Sequence, residues 1–335
     1  MWYTVEMDKH SNTPRVELHA HLGSAVNPAI LWTIAHRQGI KLPTKDYWEF
    51  EKMITLQPSQ KNKDLNEMHN KFFYWTELIQ SSPEAIEQSV HSVFCGGYRK
   101  CNLVLQELRF NPMFRNRNGE KDLDHIIMAA IWGMERAKLE FPQIKAGLIL
   151  MMDRMLSFKQ NKIILEKAIK YKKAGIIGVD VAGPERKKFD MKKYKPLFEK
   201  ARAAGLGITI HSGEAGTLEE LRYVVNEIKP DRIGHGILCV KDKKIMQAIV
   251  ENNITLEICP SSNIHNSVVK NIGELKTIIK TLKKNNIKFT VNTDGSEMYD
   301  TNLFKEQELL RKAGILSKED IERCTNWSFE ASFVK

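Results

Sequence analysis

One alternation constrains this chain more than any other feature. Eight times a short apolar run, often rich in β-branched residues, ends in glycine or polar residues and gives way to a longer segment of helical period. The runs are Val16–His19, Leu103–Phe110, Lys145–Met152, Ile176–Ala182, Gly207–His211, Arg232–Gly234, Thr255–Cys259 and Lys288–Asn292. Strand and helix in regular succession are the pattern of a parallel sheet covered by helices. The later gaps hold roughly 20 to 30 residues, room for one helix each. Eight such units predict an α/β chain closed into a (β/α)8 TIM barrel rather than an open doubly wound sheet. No Gly-x-Gly-x-x-Gly follows the first run, and no phosphate loop is present. A length of 335 residues suits one barrel with an insertion, so residues 1–335 are read as a single domain.

The insertion falls after the first strand. Asn27-Pro28 is a good helix start, and Gly39 a plausible stop. Beyond it a polar and aromatic helical stretch, at about 41–100, is read as a helical lid.

A barrel carries its chemistry at the C-terminal ends of its strands. The first run ends in His19-Ala20-His21, and alternation along a strand puts both imidazoles on one face. The fifth ends in His211-Ser212-Gly213-Glu214, the sixth in Gly234-His235-Gly236, and the eighth in Asn292-Thr293-Asp294-Gly295. A lone His-x-His is weak evidence. Three histidine-bearing strand ends and an aspartate on one face are hard to attribute to packing. His19, His21, His211 and Asp294 would give one zinc ion three neutral imidazoles and a carboxylate. The residual positive charge lowers the pKa of a bound water and makes a nucleophile available. Glu214 and His235, not needed as ligands, offer an acid and a base on different strands.

Other features narrow the function class. The net charge of +10 comes mainly from lysines on helix-like stretches, not interleaved with aromatics, which argues for a solvated surface and against nucleic acid. No apolar run approaches the ~18 to 20 residues of a membrane span, and Met1 to Pro14 has no apolar signal region. The five scattered cysteines, Cys95, Cys101, Cys239, Cys259 and Cys324, read as free thiols in a reducing cytoplasm. Glu107 and Arg109 alternate on one strand face, either as a buried ion pair or as a substrate contact. The sequence leaves the oligomeric state open.

In this order and at these intervals, His-x-His, His-x-Gly-Glu, Gly-His-Gly and Thr-Asp resemble the adenosine deaminase family of metal-dependent hydrolases. Leu-Arg-Phe-Asn-Pro at 108–112, Asp-Val-Ala-Gly at 180–183 and Leu-Glu-Ile-Cys-Pro-Ser-Ser-Asn at 256–263 extend the likeness over most of the chain. The resemblance implies zinc-dependent hydrolytic deamination of adenosine or 2′-deoxyadenosine to inosine or 2′-deoxyinosine, with release of ammonia. By position, His19, His21, His211 and Asp294 look like the zinc ligands. Glu214 looks like the acid that protonates purine N1, His235 like the group that positions the attacking hydroxide, and Gly183 like a backbone contact to N3. To donate, Glu214 must be protonated, and a buried, water-poor site is expected to raise its pKa. Phe72, Phe73 and Trp75 fall where the family has an apolar gate. The fourth strand lacks the lysine that a binuclear relative would carry, so one metal per chain is expected.

Two departures sit on the substrate side. The family's His-Leu-Asp-Gly is here His21-Leu22-Gly23-Ser24, and its paired aspartates are Asp294-Gly295. The missing carboxylates normally meet the ribose 5′-hydroxyl and purine N7. Losing a charged hydrogen bond costs about 1.5 to 3 kcal/mol. Ser24, Ser296 or water could compensate, with Gly23, Gly295 and Ser296 as substrate neighbours. Alternatively Gly23 leaves room for a modified adenine compound: a 5′-substituted adenosine, an N6-substituted adenylate, aminodeoxyfutalosine or adenine. The basic run Arg186-Lys187-Lys188 could then attract an anion. A low-turnover binding protein of the same family is a third reading.

Overall fold

The computed structural model describes residues 13–57, 60–64, 67, 69–116, 122–184 and 189–335. Eight parallel strands follow one another around the sheet: β1 Arg15–His21, β2 Leu103–Phe110, β3 Lys145–Asp153, β4 Ile176–Ala182, β5 Gly207–Ser212, β6 Arg232–His235, β7 Thr255–Ile258 and β8 Phe289–Val291. Just beyond β8 the chain closes on β1. His21 N donates to Asp294 O and Asp294 N to His19 O, each at 2.9 Å. The result is a (β/α)8 TIM barrel, as the alternation predicts.

The barrel's outer face is apolar and packs on the helices. Its interior carries charge. Arg232 pairs with Glu107 (2.5 Å) and Glu257 (2.6 Å), and Arg109 pairs with Glu257 and Asp180 (both 2.9 Å), all fully buried. Glu107 and Arg109 are thus both structural ions, each paired with another strand rather than with the other. Phe333 closes the bottom of the barrel. A side chain at Gly207 or Gly178 would run into its ring, and Arg232 stacks on it at 3.6 Å.

Between β1 and β2 lie a single turn, α1 (Leu22–Ala25), then α2 (Pro28–Arg37), α3 (Tyr47–Ile54), a wide turn over His69–Phe73, α4 (Tyr74–Ile79) and α5 (Pro83–Cys101). Asn27 caps α2 by accepting from Ala29 N, and Ser82 caps α5 by accepting from Ala85 N. α5 runs closely against α6 (Leu123–Glu140). At Gly133 a Cβ would fall 2.4 Å from the Glu87 carbonyl, so only glycine permits the approach. Among the described residues, no helix is long and apolar enough to cross a membrane.

Candidate active site

The strand register places the chemistry. A register shift in β1 between Glu17 and Ala20 re-aims the strand. Glu17 and Ala20 face a cavity between barrel and helices. The rings of His19 and His21, 5.2 Å apart, meet His211 at the barrel's C-terminal mouth. His235, the last residue of β6, and Asp294, three residues past the end of β8, have φ of 62° and 63°, the left-handed region that non-glycine residues rarely adopt. Such conformations persist where surrounding contacts enforce them.

The ligand-type atoms converge. His21 Nε2 lies 3.3 Å from His19 Nε2, 3.1 Å from His211 Nε2 and 3.3 Å from Asp294 Oδ1. His19 Nε2 lies 3.7 Å from the same oxygen. Four ligands at zinc–nitrogen and zinc–oxygen bond lengths of about 2.0 to 2.1 Å would stand about 3.3 Å apart in a tetrahedron. The residues present therefore fit one small divalent cation.

The remaining ring nitrogens are held. Glu257 Oε2 is 2.6 Å from His19 Nδ1, and Asp180 Oδ2 is 2.9 Å from His211 Nδ1. A carboxylate on Nδ1 fixes the tautomer that leaves Nε2 free to bind a metal. Arg109 joins the two carboxylates from below. Burial alone would raise both acids, but His211 and Arg109 hold Asp180 at about 2, and Arg109 and Arg232 hold Glu257 at about 2. Burial, with the neighbouring Arg109 and histidines, pushes His19, His21 and His235 well below the usual imidazole value. Neutral imidazoles are the form that binds metal.

Glu214 and His235 stand beside this cluster. His235 Nε2 is 3.6 Å from Glu214 Oε2 and 4.0 Å from Asp294 Oδ2. The Asn263 amide lies 2.9 Å from His235 Nδ1, so Nε2 is the nitrogen left facing the pocket. Ser262 Oγ donates to Asp294 Oδ2 at 2.5 Å. The pocket above is lined by His21, His211, Glu214, His235 and Asp294, with Phe73, Phe114 and Met151 as apolar walls and Glu77, Asp153 and Gly183 completing it.

The chain as a whole has relatives. A family model described as adenosine deaminase matches residues 14–335. The chain belongs to the adenosine deaminase family. It is 30% identical over 322 residues to an adenosine deaminase of Clostridium perfringens, covering 96% of this chain and 94% of that one. Among solved structures it superposes on an Arabidopsis N6-mAMP deaminase with a TM-score of 0.83 at 22% identity, over 98% and 96% of the two chains. It matches an adenine deaminase from Arthrobacter aurescens equally well, TM-score 0.83 at 20% identity over 96% and 94%. Family membership makes the chain a hydrolytic deaminase.

Within this deaminase the substrate side differs from expectation. Gly23 leaves no room: a Cβ there would fall 2.8 Å from the Phe73 ring and 3.3 Å from Arg115 Nη2. Nor does Gly295, where a Cβ would fall 2.6 Å from Ser24 Cβ and Oγ. Ser296 is turned away. Gly295 N bonds back to Thr293 O at 2.7 Å, and this tight turn sends Ser296 into the cavity shared with Glu17 and Ala20, outside the pocket. Of the three gate aromatics only Phe73 lines the pocket. Phe72 is buried with Leu56, Met298 and Tyr299, and Trp75 packs on the main core. Arg186, Lys187 and Lys188 lie outside the described residues.

The sequence reading missed the residues that hold the site. Asp180 and Glu257 sit inside the Asp-Val-Ala-Gly and Leu-Glu-Ile-Cys-Pro motifs. An acid midway along an apolar strand was the available signal, since such a group needs a buried partner. Glu77, which pairs with Arg115 at 3.3 Å, and Asp153, whose carboxylate packs against Gly183, had no such signal.

Proposed function

We propose that this deaminase is zinc-dependent and converts adenosine and 2′-deoxyadenosine to inosine and 2′-deoxyinosine, releasing ammonia. One observation carries the choice of a neutral nucleoside. Among the described residues, every charged side chain other than histidine that lines the pocket is an acid: Glu77, Asp153, Glu214 and Asp294. A 5′-phosphate would bring two negative charges towards Glu77 and Asp153, whereas sugar hydroxyls can donate to them. In this reading Glu77, reaching in from α4 and braced by Arg115, supplies a carboxylate on the side of the pocket where Gly23 has none.

His19, His21, His211 and Asp294 would hold one zinc ion, which when bound supplies a Lewis acid and brings the pKa of a water towards neutrality. The chain's own groups do the rest. The Glu214 carboxyl, 7% exposed, donates a proton to purine N1 and makes C6 electrophilic. His235 Nε2 faces the attacking water, takes its proton as the oxygen adds to C6 and passes that proton on to the C6 amino group, which leaves as ammonia when the C–N bond breaks, with Asn263 fixing the ring. Gly183 lines the pocket at φ 90° and offers its amide to N3. Phe73 and Phe114 cover the base and keep bulk water out.

The competing substrate is an N6-substituted adenylate, favoured by the likeness to the Arabidopsis N6-mAMP deaminase. Ammonia or amine release across adenosine, 2′-deoxyadenosine, adenine, AMP and N6-methyl-AMP separates the two. The nucleosides should show the highest kcat/KM. Preferential turnover of either monophosphate would overturn the acid-lined reading of the pocket.

A further inference from the structure

A second group of metal-binding side chains lies far from the barrel mouth, where α5 crosses α6. His91 and Cys95 are one turn apart on α5 and share a face. Glu140 is the last residue of α6. His91 Nε2 is 2.9 Å from Glu140 Oε2, Cys95 Sγ is 3.5 Å from His91 Nε2 and 3.8 Å from Glu140 Oε2. With zinc–sulfur bonds of about 2.3 Å and zinc–nitrogen bonds of about 2.0 to 2.1 Å, tetrahedral ligands would stand about 3.5 Å apart for sulfur with nitrogen, and about 3.3 Å for nitrogen with oxygen. The three atoms already describe one face of such a tetrahedron.

We propose that His91, Cys95 and Glu140 form a second zinc-type site that ties α5 to α6, separate from the deaminase centre and independent of its substrate. A thiolate, an imidazole and a carboxylate together favour zinc over magnesium or calcium, which take oxygen ligands. Burial is graded as such a site requires. Cys95 is fully buried at the inner corner, His91 is 22% exposed, and Glu140 is 43% exposed at the rim, so a fourth position opens to water.

The neighbouring charges are compatible. Arg99 bonds the other Glu140 oxygen, Oε1, at 3.3 Å and leaves Oε2 to the cluster, and Arg136 is held by Glu87 at 2.6 Å. Glu140 sits at a helix C-terminus, where the helix dipole disfavours an anion and a bound cation would offset it. Binding releases the thiol proton to solvent. The close α5–α6 approach that Gly133 permits sets the spacing, so the ion would staple the last helix of the insertion to the barrel's next helix.

Zinc analysis of the full-length protein after equilibration with zinc and gel filtration tests this. The wild type should carry one equivalent more than Cys95→Ser, with ammonia release alike in both. Titration with cobalt(II) gives a second readout. The thiolate-to-cobalt charge-transfer band should appear in the wild type, persist in Cys259→Ser, and vanish in Cys95→Ser. Cys259 is the required control because it lies within ligand distance of His19, His235 and Asp294. His91→Gln, at a partly exposed position that keeps the packing, should lose the same equivalent and raise no thiolate band. Equal zinc content in wild type and Cys95→Ser, or a cobalt band indifferent to Cys95→Ser, overturns the proposal.

Discussion

At the floor of the pocket each of two histidines is clamped by a buried carboxylate, and those carboxylates are bridged by one fully buried arginine. At the rim, Gly23 and Gly295 carry no side chain, and neighbours from other elements fill the space: Phe73 and Arg115 beside one, Ser24 beside the other. The floor is built from strands whose register is fixed all round the barrel. The rim is built from loops and the insertion. A carboxylate lost from the floor would leave an arginine stranded, whereas one lost from the rim is replaced by packing. The contrast predicts that floor variants act on metal and fold, and rim variants on substrate choice.

The largest expected effect comes from removing a ligand. His211→Ala should take ammonia release to background and lose the one equivalent of metal held at the barrel mouth, and chelation of the wild type should likewise abolish release, both measured by metal analysis beside the assay. Glu77→Gln, on the rim, should keep its metal. If Glu77→Gln also lost metal, the two walls would not be separable.

Glu214→Gln comes next. It removes the proposed proton donor and leaves the proposed ligand set untouched, so kcat should fall by about 10² to 10⁴ with metal content unchanged. A variant with full turnover would sink the assignment of Glu214 as acid.

Glu257→Gln probes the clamp. It should weaken metal affinity about 10- to 100-fold by loosening His19. It also removes a shared partner from Arg109 and Arg232, and breaking buried pairs in this way costs about 3 to 5 kcal/mol. Denaturant melts should show that loss even without metal. Unchanged stability would mean that the interior charges are not mutually dependent.

The difference between floor and rim also explains what the sequence made legible. The eight strands were readable because each is an apolar run with a polar end. His19, His21, His211, His235 and Asp294 were readable because those ends share a barrel face. The clamp was half visible, since Asp180 and Glu257 interrupt apolar strands, yet nothing local says which histidine each holds. The rim was not legible. Ser296 is two residues from Asp294, but one tight turn points it into another cavity. Gly23 read as open space because its filler, Phe73, is fifty residues away in sequence. His91 and Cys95 show helical spacing, but Glu140 joins them only through the packing of two helices.

A smaller change is expected at Glu77. Replacing its charge by an amide should raise KM for adenosine by about 10- to 20-fold, at the lower end of the roughly 1.5 to 3 kcal/mol of a charged hydrogen bond. It should narrow the gap between adenosine and AMP, because the charge that opposes phosphate is gone. Equal losses on both substrates would place Glu77 in packing alone.

The smallest effect tests why the rim keeps glycine at position 295. In Gly295→Ala the new methyl would sit 2.6 Å from Ser24 Cβ, an atom fixed to its own backbone and unable to swing aside. Such overpacking costs about 1 to 3 kcal/mol. Ser24→Gly opens the space but removes a hydroxyl that donates to His21 O and Asp294 O, each at 3.3 Å. Those bonds are long, so the single change should cost about 0.5 to 1.5 kcal/mol. Combined, the two changes should cost less than their sum, with a coupling of about 0.5 kcal/mol or more, because the methyl then occupies the room that Ser24 vacates. Strict additivity in the melts would show that contact with Ser24 is not what excludes a side chain. A clear coupling would make Ser24 the residue to change first in any attempt to place a carboxylate at position 295, and would explain why Gly295→Asp alone should lose stability rather than gain adenosine turnover.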